Sequence, residues 1–209
     1  MSVFDFLKQN SFAPFPSRHI QDFAKSLFKS VDCEWLAEGS TAWLTVVLHR
    51  LKLVHTDLKP ENILLCHNDA RLSGPRVSGD WPGLADGFVA DRQVKGAKNT
   101  SILKNTDIRL IDFGSATFEN EYHSSVVSTR HYRAPEIILG EQTILTSRTL
   151  RSWPGLPWSY PCDMFSIGCI LVEFFTGDAL FQTHDNLEHL AMMEVVMGRM
   201  PTRMAERGQ

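Results

Sequence analysis

The chain carries the string His55-Thr56-Asp57-Leu58-Lys59-Pro60-Glu61-Asn62. It places a carboxylate, an ammonium and an amide within one short turn of chain. Asp57 can take a proton from a hydroxyl. Lys59 can present a positive point charge to a phosphate. The side-chain oxygen of Asn62, five residues past Asp57, suits a hard divalent cation. Phosphoryl transfer asks for this kind of help: an oriented nucleophile, a held metal ion and balanced charge. Taken alone, the string could also be a polar surface turn, so its context decides.

The context agrees on both sides. Leu51 to Val54 is a short apolar run leading in, and Ile63 to Cys66 is a strand candidate leading out. A second strand candidate, Ile108 to Ile111, runs into Asp112-Phe113-Gly114, where a carboxylate can chelate magnesium and a Phe can pack as a switch. Ala134-Pro135-Glu136 lies 22 residues after Asp112 and closes the set. Three motifs in this order match the signature of protein kinases. Between them, Ser124, Ser125, Ser128, Thr129 and Tyr132 are hydroxyl candidates for phosphorylation or substrate contact. Thr129 stands where kinases hydrogen-bond the catalytic Asp and Lys. His55 reads as a buried structural residue. Asp163 reads as a carboxylate that receives backbone amides of the catalytic loop. Arg130 and Arg133 suit either a phosphate or a structural role.

A narrower resemblance follows from three stretches. Ser-Ser-Val-Val-Ser-Thr-Arg-His-Tyr-Arg-Ala-Pro-Glu over 124–136 resembles the LAMMER kinases, as does Trp158-Ser159-Tyr160-Pro161-Cys162-Asp163. Glu188-His189-Leu190-Ala191-Met192-Met193-Glu194 resembles the motif that gives the family its name, with Val195 in place of its Arg. Thr56 stands where most kinases have Arg, and LAMMER kinases share that Thr. Activation should therefore depend less on pairing a loop phosphate. The resemblance implies a dual-specificity kinase that uses ATP and Mg2+, autophosphorylates on Tyr and phosphorylates Ser/Thr of Arg/Ser-rich splicing proteins in the nucleus, with the cytoplasm as a second location. It implies catalytic roles for Asp57, Lys59 and Thr129. It implies ATP contacts from Lys59, Asn62, Leu64 and Asp112, and metal contacts from Asn62 and Asp112.

Bulk properties are compatible with this. The 209 residues suffice for one domain with a real core, and 43% hydrophobic with 22% charged residues is near the globular average. A net charge of -3 carries no nucleic-acid footprint. Cys33, Cys66, Cys162 and Cys169 show neither metal-ligand nor disulfide spacing, which suits reduced thiols in an intracellular protein. The N-terminus is no signal peptide, and the apolar run Met164 to Phe175 is too short to span a bilayer. A monomer without membrane or direct nucleic-acid contacts is expected.

The fold class expected is mainly α: a kinase-like C-terminal lobe with short β-strands around the catalytic loop and the N-terminal β lobe absent. Residues 1–209 then form one incomplete kinase domain. Ile20, Phe23, Leu27, Phe28 and Val31 predict an amphipathic helix from Ser17 or His19. Pro161 opens a helix that is apolar nearly all round and stops at Gly177. Asp185 with Glu188 resembles a capping box, followed by apolar positions at Leu187, Leu190, Ala191, Val195 and Met197 and a stop at Gly198. Met192, Met193 and Met197 read as core packing. The turn-rich stretch 67–106 predicts about 40 residues of mobile loop.

Segments 33–47 and 141–157 match neither flank and read as insertions of roughly 15 residues each, with retained introns translated in frame as one origin. Ser2 to Phe6 resembles the first helix of the C-terminal lobe. The chain shows no glycine-rich loop, strand Lys or Glu partner upstream, nor the late Arg that normally pairs the equivalent of Glu136. Low activity of the isolated chain is therefore expected. The alternatives are a catalytically inactive lobe that acts as a binding module, and a mis-spliced product without a stable fold. Thermal melting with and without magnesium-ATP separates the three: a cooperative shifted melt, a cooperative unshifted melt, or no transition.

Overall fold

The computed structural model describes residues 1–31, 48–73, 100–146 and 157–207. The expected insertion 33–47, the centre of the expected loop 67–106 and most of the expected insertion 141–157 lie outside them.

The core is built on α4 (Pro161–Thr176). Pro161 sits in its first turn, where a missing N–H costs nothing. Gly177 ends it at φ 84°, and a Cβ there would lie 2.1 Å from the carbonyl oxygen of Phe12, so only glycine fits. Ile167, Ile170 and Phe174 are fully buried, each worth about 1.5–3 kcal/mol relative to exposure. α2 (Ser17–Val31) packs across α4 through the stripe Phe23, Leu27 and Val31, as its helical period predicts. Phe15 joins them: its ring centroid lies 5.6 Å from Phe6, 5.1 Å from Phe23 and 5.3 Å from Phe174. α1 (Val3–Gln9) is capped reciprocally by Ser2 and Asp5 and docks Val3, Phe6 and Leu7 into the same core.

The strands are short and antiparallel. β1 (Leu53–Val54) pairs with β6 (Thr117–Phe118). β2 (Ile63–Leu65) pairs with β5 (Ile108–Leu110) in the register Ile63↔Leu110 and Leu65↔Ile108. β1 delivers the chain to His55 and β2 carries it away from Asn62, so both ends of the catalytic loop are tied to the stretch around Asp112.

The expectation of unbroken loop over 67–106 needs correction at its ends. β3 (Ala70–Ser73) and β4 (Thr100–Leu103) form an antiparallel ladder. Thr100, Ile102 and Leu103 favour a strand, and Ile102 and Leu103 are buried. The ladder closes across residues far apart in sequence, so neither arm announces the other.

α3 (Pro135–Thr146) also runs into the segment read as irregular. No Gly or Pro follows Gly140 until Pro154, so nothing local stops the helix at Glu141. α5 (Asn186–Met197) ends at Gly198 as expected, but its cap is only half a capping box. Asp185 accepts from the Glu188 amide at 2.8 Å, while the Glu188 carboxylate turns to the Thr183 hydroxyl. The Asp185 amide donates to Thr183 instead, at 3.1 Å. Leu190 and Met193 are buried on this helix, whereas Leu187, Val195 and Met197 are exposed at 71%, 87% and 55%. The core reading therefore holds for Met193, which is buried, and for Met192, which packs against the core, but not for Met197: in an all-round apolar helix, composition does not say which face is covered. α6 (Thr202–Arg207) follows. No helix among the described residues is long and apolar enough to cross a membrane.

Candidate active site

The catalytic loop hangs on one buried carboxylate. Asp163, in the first turn of α4, accepts the amide of His55 at 2.8 Å on one oxygen and the amide of Thr56 at 2.9 Å on the other. His49 Nε2 lies 3.2 Å from the same carboxylate. The structural roles expected of Asp163 and His55 are what the geometry gives. His55 is fully buried; its Nε2 faces the Ile111 carbonyl at 3.1 Å, and its Nδ1 accepts from the Asp57 amide at 3.3 Å. Those partners assign the neutral Nε2–H tautomer. Burial lowers the His55 pKa, against the opposing pull of Asp163, which keeps the ring neutral.

Asp57, Lys59, Asn62 and Thr129 come together. Lys59 Nζ donates to Asp57 Oδ2 at 2.6 Å and to the Thr129 hydroxyl at 3.3 Å. The Thr129 hydroxyl donates to Asp57 Oδ1 at 2.7 Å. Asn62 Nδ2 donates to the Asp57 carbonyl at 2.9 Å. With its NH2 group committed, the Asn62 side-chain oxygen is left to accept.

Asn62 and Asp112 become neighbours through the β2–β5 ladder. The Ile111 amide donates to the Asn62 carbonyl at 3.0 Å, one step beyond the strands. Asp112 is exposed, and its carboxylate accepts from the Gly114 amide at 3.4 Å. Phe113 rests against the His55 ring at 5.0 Å. Leu64 lies on the face of β2 opposite the buried Ile63 and Leu65, half-exposed.

Comparison with known proteins decides the family. The model described as "Protein kinase domain" matches residues 44–206. The chain belongs to the protein kinase domain family. Over 99% of its length it is 50% identical to the dual specificity protein kinase lkh1 of Schizosaccharomyces pombe, of which it covers 23%. It is 42% identical to the mouse dual specificity protein kinase CLK4 and 44% identical to the Arabidopsis thaliana serine/threonine-protein kinase AFC1, covering 33% and 36% of them. A crystal structure titled as the kinase domain of PF14_0431 superposes with a TM-score of 0.69 at 33% identity, over 99% of this chain and 49% of that one. The resemblance to LAMMER, or Clk-type, kinases is thereby shown. The chain spans about a quarter to a third of the length of these curated relatives.

Protein kinases use ATP with magnesium, and the donors in this chain suit that pair. Among the described residues no three His, Cys, Asp or Glu side chains converge on a metal-sized point. One carboxylate and one amide oxygen are the kind of donors that a magnesium ion held mainly by phosphate and water takes from a protein. Asn62 and Asp112 would hold it, and it would offset phosphate charge.

Charge at Asp57 is set by opposing effects. Burial alone would raise its pKa, but the hydrogen bonds from Lys59 and Thr129 and the Lys59 charge outweigh it and hold the carboxyl below its ordinary value. It is therefore ionised at neutral pH.

Several hydroxyls read as phosphorylation or substrate candidates have other duties. The Tyr132 hydroxyl is buried and donates to Glu173 at 2.7 Å, and burial raises its pKa far above the usual phenol range. The Ser128 hydroxyl donates to the Thr56 carbonyl at 2.6 Å. Ser124 and Ser125 are exposed. Tyr122, absent from that set, is 88% exposed. Arg130 Nη1 donates to Asn186 at 2.6 Å, and Arg133 donates to the carbonyls of Val127 and Ser128, so both take structural roles here. Sequence reasoning also missed the contact of Trp158 Nε1 with the Ser124 carbonyl at 2.7 Å. The motif around Trp158 marked that residue but not its partner.

Proposed function

We propose that this chain carries the catalytic machinery of an ATP-dependent LAMMER-type kinase that transfers the γ-phosphate to Ser/Thr of proteins and, in autophosphorylation, to Tyr. The observation that carries the reading is the Asp57–Lys59–Thr129 cluster beside Asn62, with Lys59 and Thr129 both bonded to the Asp57 carboxylate. In this arrangement Asp57 orients the substrate hydroxyl and accepts its proton. Thr129 fixes the carboxylate. Lys59 leaves Asp57 to meet the transferred phosphate. Magnesium would sit at Asn62 and Asp112, and Leu64 would supply apolar contact to the nucleotide.

A cleft of about 490 Å³ opens beside Asp57, lined among others by Ser115, Tyr122, Val127, Thr129 and Arg133. Its position beside the carboxylate supports a protein segment as the acceptor. Arg/Ser-rich splicing proteins, a nuclear location and a monomeric state complete the proposal on the strength of the LAMMER resemblance.

The test is a phosphotransfer assay on an Arg/Ser peptide with magnesium-ATP, comparing the chain with Asp57→Asn. Loss of a general base predicts a fall of about 10²–10⁴ in kcat. Equal rates in the two proteins, or none in either, would remove the proposal.

A further inference from the structure

Among the described residues, three non-glycine residues with left-handed backbone sit next to site groups. They are Thr56 at φ 70°, Asp112 at φ 66° and Ser128 at φ 67°. An Asp tolerates this region through its short polar side chain, but a β-branched Thr there is an outlier and a Ser is disfavoured. Such conformations persist only when their surroundings over-determine them. Thr56 directly precedes Asp57, and Ser128 directly precedes Thr129.

The two strained residues hold each other. The Ser128 hydroxyl donates to the Thr56 carbonyl at 2.6 Å. The Thr56 hydroxyl donates to the Ser115 carbonyl at 2.8 Å, and the Thr56 amide is fixed by Asp163. On the far side of the turn, Arg133 Nη2 grips the Ser128 carbonyl at 2.9 Å. One residue further on, the Thr129 hydroxyl meets Asp57 at 2.7 Å and its amide at 3.3 Å. Ser128 thus directly precedes, in the chain, the residue that fixes the proton acceptor, and its hydroxyl reaches across to the residue preceding that acceptor.

We propose that Ser128 is a positioning residue: its hydroxyl, bonded to the Thr56 carbonyl, holds the left-handed turn that delivers Thr129 to Asp57. This rests on the kinase reading of the site. The hydroxyl acts through Thr129 and touches neither substrate nor phosphate. The Ser128–Thr56 bond itself joins two neutral groups, so salt leaves it largely intact.

Two variants separate the hydroxyl from the backbone. Ser128→Ala keeps the strained turn and removes the tie. Ser128→Gly removes the tie but makes the left-handed turn easy. Both should lower kcat about tenfold with KM for ATP unchanged. Both should also speed amide hydrogen exchange over 115–129 about tenfold relative to the parent chain, with exchange in α4 unaltered. If Ser128→Gly exchanges and turns over like the parent, only the backbone conformation matters and the proposal is wrong. If Ser128→Ala also behaves like the parent, the hydroxyl is idle and the proposal is equally wrong. A parent chain with no activity sinks the kinase reading instead; the exchange comparison then decides the tie by itself.

Discussion

The catalytic loop and the activation segment meet at Asp57, yet they are held by different means. The loop residues His55, Thr56 and Leu58 are essentially buried, and the His55 and Thr56 amides are fixed by the buried Asp163. The segment from Asp112 to Thr129 is mostly exposed. It is fastened at separate points: the β1–β6 pair, the Thr56–Ser115 and Ser128–Thr56 bonds, and the Trp158–Ser124 bond. A loop wired into a core stands or falls with the fold. A segment pinned at points can loosen at one of them and leave the rest in place. Asp57 lies on the first kind of structure, and Thr129, which bonds its carboxylate, on the second.

The largest effect should come from cutting the loop free of the core. Asp163→Ala removes the acceptor for two buried amides and leaves His49 without its carboxylate. Leaving two buried amides without an acceptor costs about 1–3 kcal/mol each. Denaturant melts should show that loss across the whole cooperative transition. A melt within about 1 kcal/mol of the parent would mean that the loop is not wired to the core as described.

A smaller effect lies in the pH dependence of the support beneath the segment. His189 on α5 is fully buried, and among the described residues neither ring nitrogen finds a hydrogen-bond partner. Its ring lies 5.2 Å from that of Phe181. Burial, then the charges of Arg130, Arg133 and His131, lower its pKa from 6.5 to about 4. Between those values the unfolded chain binds a proton that the native state refuses. The stabilisation is therefore complete above pH 6.5 and is lost as pH falls toward 4. From pH 7.5 to 5 it should shrink by about 2 kcal/mol. His55, also held below its ordinary value, adds loss in the same direction. His189→Phe keeps a ring and has no proton to gain, so its stability should fall less over that interval. Parallel curves for parent and variant would remove His189 as the source.

The same contrast explains what the sequence made legible. The catalytic loop, Asp112-Phe113-Gly114 and Ala134-Pro135-Glu136 are contiguous strings, so their chemistry could be read in order. α2 announced itself by period and α4 by its Pro and Gly ends. Asp163 could be foreseen because the loop's amides need a buried acceptor. What stayed hidden was whatever depends on residues distant in sequence or on conformations without a sequence signature. Thr and Ser do not advertise a positive φ, so the turns at Thr56 and Ser128 were invisible. The β3–β4 ladder pairs arms nearly thirty residues apart, with turn formers between them. On α5, apolar residues occur on both faces, and only packing shows that Leu190 is inside and Val195 outside.

The finest test asks whether one pin of the activation segment can be drawn alone. Trp158 is 4% exposed, donates Nε1–H to the Ser124 carbonyl at 2.7 Å and stacks on His123 at 4.2 Å. Trp158→Phe keeps an aromatic partner for His123 and removes the donor. One hydrogen bond to an exposed stretch is worth about 1 kcal/mol. The cost should fall on the segment, because Ser124 is exposed whereas Val54, Ala134 and Ile137, which cluster with Trp158, are buried. Chymotrypsin should then cleave after the exposed Tyr122 about fivefold faster, while the denaturant midpoint moves little. Unchanged cleavage with a lowered midpoint would show that Trp158 serves the core and not the segment, and the division between wired loop and pinned segment would have to be redrawn at that residue.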